Sequence, residues 1–358
     1  MPNTPLKVAF GGFISDLHSA IANHAKIVNS SSDCIPTKNH LSKIVNAVFW
    51  ASLLQEEGQN HNFSIRYESD FSPGESTFEF KKRKPCDPAT LAKIAPAMGR
   101  INLELIATPS KKSGLTLPGF LLKKLYDRSK CSLRTVGPGK VNVSVGFRQI
   151  AGISIEKCGL IETAFREYWY FIDKLDPTKD LKRYLLRVTL REMIRLKRGG
   201  ALVIVPPESQ NEVLKNSVSE NMSYEASQPT KYVKESMTQL PDDSHSEKTE
   251  QAALTLAQLT SVDGATLITP DFEIIGFGAK LKPANKQTCE KIAILDPFGK
   301  SSSKDFDKIG GTRHQSTARF VCDNPKTTVI VVSQDGRVSR FYKEGDELCQ
   351  HENLEFLL

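Results

Sequence analysis

Apolar residues recur along the chain with two periods, and the alternation between them predicts the elements. Leu41, Ile44, Val45 and Val48 fall on one face at helical spacing, so a helix is expected over residues 38–57, with Gly58 as its stop. Phe63, Ile65 and Tyr67, then Phe78 and Phe80, alternate with polar residues and predict two short half-buried strands around the Ser72-Pro73-Gly74 turn. Asp87-Pro88 places a capping side chain and a first-turn proline at a helix start, and that helix must yield near Pro96. Ile101, Leu103, Leu105 and Ala107 alternate again. Val141, Val143 and Val145 do the same after the Gly137-Pro138-Gly139-Lys140 turn, which is a hairpin pattern. Residues 160–174 carry an aromatic stripe (Phe165, Tyr168, Trp169, Phe171) at helical spacing and read as a packing face.

In the second half the pattern changes. A long basic helix is expected from Asp176 to Arg198, ended by Gly199-Gly200. Ala201 to Val205 then runs apolar without a break, as in a strand buried on both faces. A short helix through Ala252, Leu254, Leu256 and Leu259 precedes strands over 263–269 and 272–281. A loop over 285–308, a helix over 311–323, a buried strand over 327–333 and a partner strand over 337–342 complete the reading. Helices alternating with apolar strands predict an α/β fold, a mixed central sheet flanked by helices, preceded by an α+β extension. The expected domains are 1–178 (regulatory or sensing), 179–345 (nucleotide-binding) and a C-terminal tail over 346–358.

Between the halves, residues 206–250 hold nine acidic residues against four lysines, with few apolar positions. The segment at about 208–248 is therefore expected to be a disordered acidic insertion, since it lacks the apolar area that offsets ordering entropy. The chain as a whole carries +7, with basic runs at Lys81-Lys82-Arg83-Lys84 and from Lys179 to Arg198. Neither run is interleaved with aromatics in an RNA-binding pattern, which argues against a nucleic-acid partner. No apolar run approaches the ~20 residues of a membrane helix, and Met1 to Ile14 lacks the basic and apolar regions of a leader, so it is read as a short strand and turn. Seven single cysteines, an odd number with no close pair, predict reduced thiols and a cytoplasmic setting.

Candidate chemistry gathers in the last hundred residues. Val262-Asp263-Gly264-Ala265 places a carboxylate and a glycine at the mouth of an apolar strand. Gly310-Gly311-Thr312-Arg313-His314-Gln315 places a glycine turn, a guanidinium and an imidazole at a helix start, a setting suited to phosphates. Other site patterns fail: Gly299-Lys300-Ser301 lacks the leading glycine of a phosphate loop, and Gly276-Phe277-Gly278 sits inside a strand without a third glycine.

These two runs, with Val331-Val332-Ser333-Gln334-Asp335 downstream, resemble the three signatures of the diadenylate cyclase domain: Asp-Gly-Ala, Gly-Thr-Arg-His-Arg and a strand ending in Ser-Glu-Glu. The chain looks most like the branch labelled a probable DACNV sensor domain, with the stronger resemblance over about residues 180–345. Gln315 stands where the family has a second arginine, Val262 where it has a histidine, and Asp335 where it has a longer acid.

The resemblance implies condensation of two ATP into cyclic di-AMP and pyrophosphate, with Mn2+ or Mg2+ as cofactor and two pockets facing across a homodimer. It implies catalytic roles for Asp263, Arg313 and His314. Nucleotide contacts fall to Gly264, Ala265, Leu281, Gly311, Thr312, Arg313, Gln315 and Ser333, and metal ligation to Asp263, His314 and Asp335. The alternative is an inactive relative that senses a nucleotide.

Overall fold

The computed structural model describes residues 11–27, 35–54, 61–72, 74, 77–98, 103–110, 114–122, 130–146, 148–155, 158–161, 179–219, 224–225, 243–282, 291–298 and 301–358. The chain divides into two compact units, Met1–Ile161 and Glu162–Phe356. Each is a mixed sheet flanked by helices, so the fold is α/β. The expected aromatic helix over 160–174 and the expected boundary at 178 lie in a stretch outside the described residues.

In the first unit the helices are α1 (Gly11–Ile27), α2 (Lys38–Leu53) and α3 (Pro88–Ile94). The strands are β1 (Ser64–Tyr67), β2 (Thr77–Pro85), β3 (Leu103–Ser110), β4 (Gly114–Leu122), β5 (Cys131–Gly137), β6 (Lys140–Val145), β7 (Arg148–Ser154) and β8 (Cys158–Leu160). They form one sheet in the order β2-β4-β3-β1-β5-β6-β7-β8, in which β1 and β3 are parallel. Local chemistry sets the ends as expected. Thr37 caps α2 by accepting from the His40 amide at 3.2 Å, and Asp87 caps α3 by accepting from the Thr90 amide at 2.9 Å. The chain tightens into a 3-10 turn over Ala95–Met98 around Pro96.

Alternation divides the faces of this sheet. Ile65, Leu105, Leu133 and Val143 join Leu41, Ile44, Val48 and Phe49 of α2 in one core. The residues between them point the other way and are polar yet buried: Arg66, Glu104, Ser132 and Asn142. Arg66 Nε donates to Glu104 Oε2 at 2.9 Å, a pair almost without solvent exposure.

One expectation is corrected here. Residues 11–14, read as strand and turn, open α1, because Ile14, Leu17 and Ile21 sit at helical spacing and enter the core.

The second unit contains helices α4 (Lys179–Leu196), α5 (Gln210–Ser217), α6 (Asp243–Leu259) and α7 (Thr312–Asp323). Its strands are β9 (Gly200–Ile204), β10 (Tyr224–Glu225), β11 (Ala265–Ile268), β12 (Ile274–Ala279), β13 (Lys291–Leu295), β14 (Ser301–Asp305), β15 (Thr328–Val332), β16 (Val338–Glu344) and β17 (Glu347–His351). The sheet order is β10-β12-β11-β9-β15-β16-β17-β13-β14. β9 runs parallel to β11 and antiparallel to β15, in register Ala201↔Ala265 and Ala201↔Val331. Every residue of β9, β11 and β15 is buried, as expected of strands covered on both faces. Val203, Val329 and Val331 pack with Ala318, Phe320 and Val321 of α7 and with Val213 of α5.

Four further expectations are corrected. The acidic insertion is structured at both ends: α5 buries Val213, Val218 bridges to Leu281, and α6 begins at Asp243. The loop over 285–308 contains the β13/β14 hairpin, whose outer strand Ser-Ser-Ser-Lys-Asp is wholly exposed and so shows no apolar pattern. The tail over 346–358 supplies β17 and a 3-10 turn, with Leu348, Leu354 and Phe356 buried. Cys322, expected as a thiol, is disulfide-bonded, whereas Cys86, Cys131 and Cys349 are free.

Candidate functional site

The sheet register of the second unit brings the singled-out residues to one end. Gly200 opens β9, Ala265 opens β11 and Val332 closes β15, and these residues lie on adjacent strands. Asp263 and Gly264 therefore project just beyond the sheet beside Gly199, and Ser333 follows on the other side. β12 runs back along β11 in register Ala265↔Ala279, which carries Leu281 to the same end, with β11 and β9 between it and β15. Leu281 is partly buried there against Val218 and the core.

The helix-to-strand turn at Lys197–Gly199 is built from two left-handed residues, Lys197 at φ 54 and Gly199 at φ +68. A Cβ on Gly199 would stand 2.6 Å from Arg313 Nη1, 3.1 Å from the Val332 carbonyl and 3.4 Å from the Gln334 amide nitrogen. Positive φ favours glycine here, and a Cβ would also crowd the Val332 carbonyl and displace the arginine end. The end of the Arg313 guanidinium thus lies against this turn and near the one that follows β15. Among the described residues no carboxylate is paired with it.

α7 begins at the same place. Gly311 is its N-cap, exposed, with no side-chain cap and no acid in the first turn, so the first amides of Thr312, Arg313 and His314 lack helix partners. Gly310, at φ +47, lies over the His314 ring, where a Cβ would be 2.9 Å from Cγ. The imidazole packs edge-on against Phe341 of β16 at 5.8 Å between centroids. Burial holds the His314 pKa below the usual imidazole value, the Arg313 and Arg337 charges push it the same way, and Asp335 opposes them.

The turn from β15 to β16 is closed by its own side chains. Ser333 Oγ donates to Asp335 Oδ1, the Arg337 amide donates to Ser333 Oγ at 3.1 Å, and Arg337 Nε donates to Asp335 Oδ2 at 2.8 Å. Gln315, on the first turn of α7, is half-buried.

Two features of this geometry bear on the expected roles. What comes close to Gly264, at φ +115, is the backbone of β12: a Cβ there would be 2.5 Å from the Gly278 carbonyl carbon. The expected metal set of Asp263, His314 and Asp335 does not form one, since no group of three or more His, Cys, Asp or Glu side chains placed to hold a metal ion occurs among the described residues. Asp335 is turned onto Arg337 instead. The residues present therefore do not fit a preformed metal site.

Residues that the sequence reading did not place in the site are Gly199 and Arg337. The first was read as a helix stop alone, and its signal was the doubled glycine before an apolar strand. The second had none, since a lone arginine in a hairpin turn is an ordinary surface residue.

Residues 30–121 match the family model described as a probable sensor domain, DACNV. The match lies wholly within the first unit, from the residues before α2 into β4. It corrects the expectation that the stronger resemblance covers residues 180–345: the likeness to the diadenylate cyclase domain itself rests on the second unit's motifs alone. No curated protein matches the chain. Among the described residues no helix is long and apolar enough to cross a membrane.

Proposed function

We propose that the chain is a nucleotide sensor whose second unit binds the phosphates of ATP or a related nucleotide at the end of the sheet between β9 and β15. The observation that carries this reading is Arg313: a guanidinium with no carboxylate partner among the described residues, set against a glycine turn of positive φ. A planar guanidinium can offer two parallel N–H donors to a phosphate, and the uncapped start of α7 adds backbone donors of the same polarity. Thr312 and Ser333 would add hydroxyl contacts, and Gln315 an amide. The sensor-family match of the first unit supports the same class.

A second reading is supported by Asp263, which is exposed at the mouth of β11 beside this site. In a diadenylate cyclase, the 3′-hydroxyl of each ATP attacks the α-phosphate of the other and two pyrophosphates leave. A carboxylate at the site's edge would orient that hydroxyl. The pockets of two copies would have to face each other, so this reading requires a homodimer.

One experiment separates the readings. The full chain is titrated calorimetrically with ATP and then incubated with ATP and Mn2+ for mass spectrometry of the products. Binding without cyclic di-AMP is the result expected of a sensor, and formation of cyclic di-AMP replaces it with the cyclase. Absence of ATP binding overturns both.

A further inference from the structure

The turn between β15 and β16, whose backbone borders the Arg313 site, carries a second guanidinium, that of Arg337. Arg337 reaches back across the turn to Asp335 at 2.8 Å, and the turn's Gln334 amide borders Arg313, since a Cβ on Gly199 would stand 3.4 Å from the one and 2.6 Å from Nη1 of the other. Both arginine charges are felt at His314, whose ring lies at the start of α7. Gln315, on that same first turn, brings no charge.

The Arg337–Asp335 pair is exposed, with side chains 63% and 54% accessible. An exposed ion pair of this kind adds little to stability, because water competes for both partners. The turn does not depend on the charge of Asp335: the Ser333 hydroxyl and the Arg337 amide bind the same oxygen, and a neutral amide oxygen would accept both bonds. The charge of the carboxylate engages Arg337 through its Nε.

We infer that Arg337 is a second phosphate-binding residue of this site, and that Asp335 is an internal counter-ion that the ligand's phosphate displaces. The inference rests on the proposed nucleotide reading and narrows it. Two guanidiniums select an anion with two or more phosphate groups, so nucleoside di- and triphosphates are the ligand class and monophosphates bind poorly. Displacement suits the chemistry: a phosphate presents more charge than the carboxylate and accepts the guanidinium fork through two oxygens.

The test is calorimetric titration of the full chain with ATP and with AMP, in the parent, Arg337→Ala, Asp335→Asn and the double variant. Arg337→Ala should weaken ATP about ten-fold, the loss of one charge-assisted contact, while AMP changes less than about two-fold by the same count. Asp335→Asn should tighten ATP roughly two- to five-fold, the range of an exposed pair released. A gain in affinity cannot arise from misfolding. In the Arg337→Ala background the Asp335→Asn gain should vanish, because the two residues act on one contact. If the parent binds ATP but Arg337→Ala binds it equally well, or if Asp335→Asn weakens ATP, the inference is overturned while the nucleotide reading stands. If the parent binds no ATP, the nucleotide reading itself is overturned.

Discussion

The family match and the candidate site fall in different units of the molecule. The first unit matches a sensor family over 30–121, and its sheet sets an apolar face packed by helices against a face of buried polar side chains such as Arg66 and Glu104. The second unit buries both faces of its central strands and gathers its charged and glycine residues at one sheet end. In open sheets with helices on both faces, the strand ends are where turns leave backbone and side-chain groups free to meet a ligand. The comparison teaches that a family match locates a domain, whereas a site is located by where the register carries particular residues.

Core truncation separates the units most strongly. Phe49→Ala in α2 and Phe320→Ala in α7 each remove a ring that is at most 2% exposed, and each should cost about 3–5 kcal/mol. Urea unfolding followed by circular dichroism measures both. Of the two, Phe320→Ala should also abolish ATP binding, because α7 carries Arg313.

A smaller loss probes the insertion. Val213→Ala removes two methyl groups from a side chain 2% exposed and should cost about 1–3 kcal/mol. A change below about 0.5 kcal/mol, the range of surface positions, would return α5 to the status of a loose insertion.

Acid should weigh on the second unit through His351. Its ring is fully buried, its Nε2 lies 2.9 Å from the Tyr342 hydroxyl, and burial, with Arg340 adding to it, pushes the pKa down to about 2. Below about pH 6.5 the unfolded chain protonates this ring and the folded chain does not. The unfolded state then binds the extra proton, so stability falls as pH falls, by about 1.4 kcal/mol per pH unit for this one group. Urea midpoints between pH 6.5 and 5 should show it, and His351→Gln should reduce the slope by that amount. An unchanged slope would show that the ring is protonated in the folded chain.

The finest comparison lies within the second unit. Gly199→Ala and Gly345→Ala both force alanine to positive φ, at +68 and +60, but only Gly199 has Arg313 and the Val332 carbonyl in the way; nothing stands within 4 Å of a Cβ at Gly345. Each should cost about 1–2 kcal/mol in backbone strain, with a further loss at Gly199. ATP binding should weaken for Gly199→Ala alone.

Much of this architecture is legible in the residues. The capped start at Asp87-Pro88, the hairpin around Gly137–Lys140 and the buried strand after Gly199-Gly200 were written in turn chemistry and periodicity, and the structure places them there. β14 was not legible, because an exposed edge strand of serines buries nothing and so carries no pattern. α5 and the start of α6 were hidden by acidic composition, although Val213, Leu214 and the Ser217–Asn324 hydrogen bonds fasten so short a helix as α5. For the site, Arg313 and its helix start were readable from the motif. The pairing of Asp335 with Arg337 was not, because a turn's side-chain bonds depend on backbone angles that the residue types leave open.

The central claim is that Arg313 holds a nucleotide's phosphates at the end of the second sheet, and calorimetric titration of ATP into the parent chain and Arg313→Ala tests it most directly. Loss of this charge-assisted contact, worth about 1.5–3 kcal/mol, predicts ATP affinity lower by at least about ten-fold, with the unfolding midpoint little changed because the side chain is only half-buried. Equal affinity in the two proteins would contradict the account.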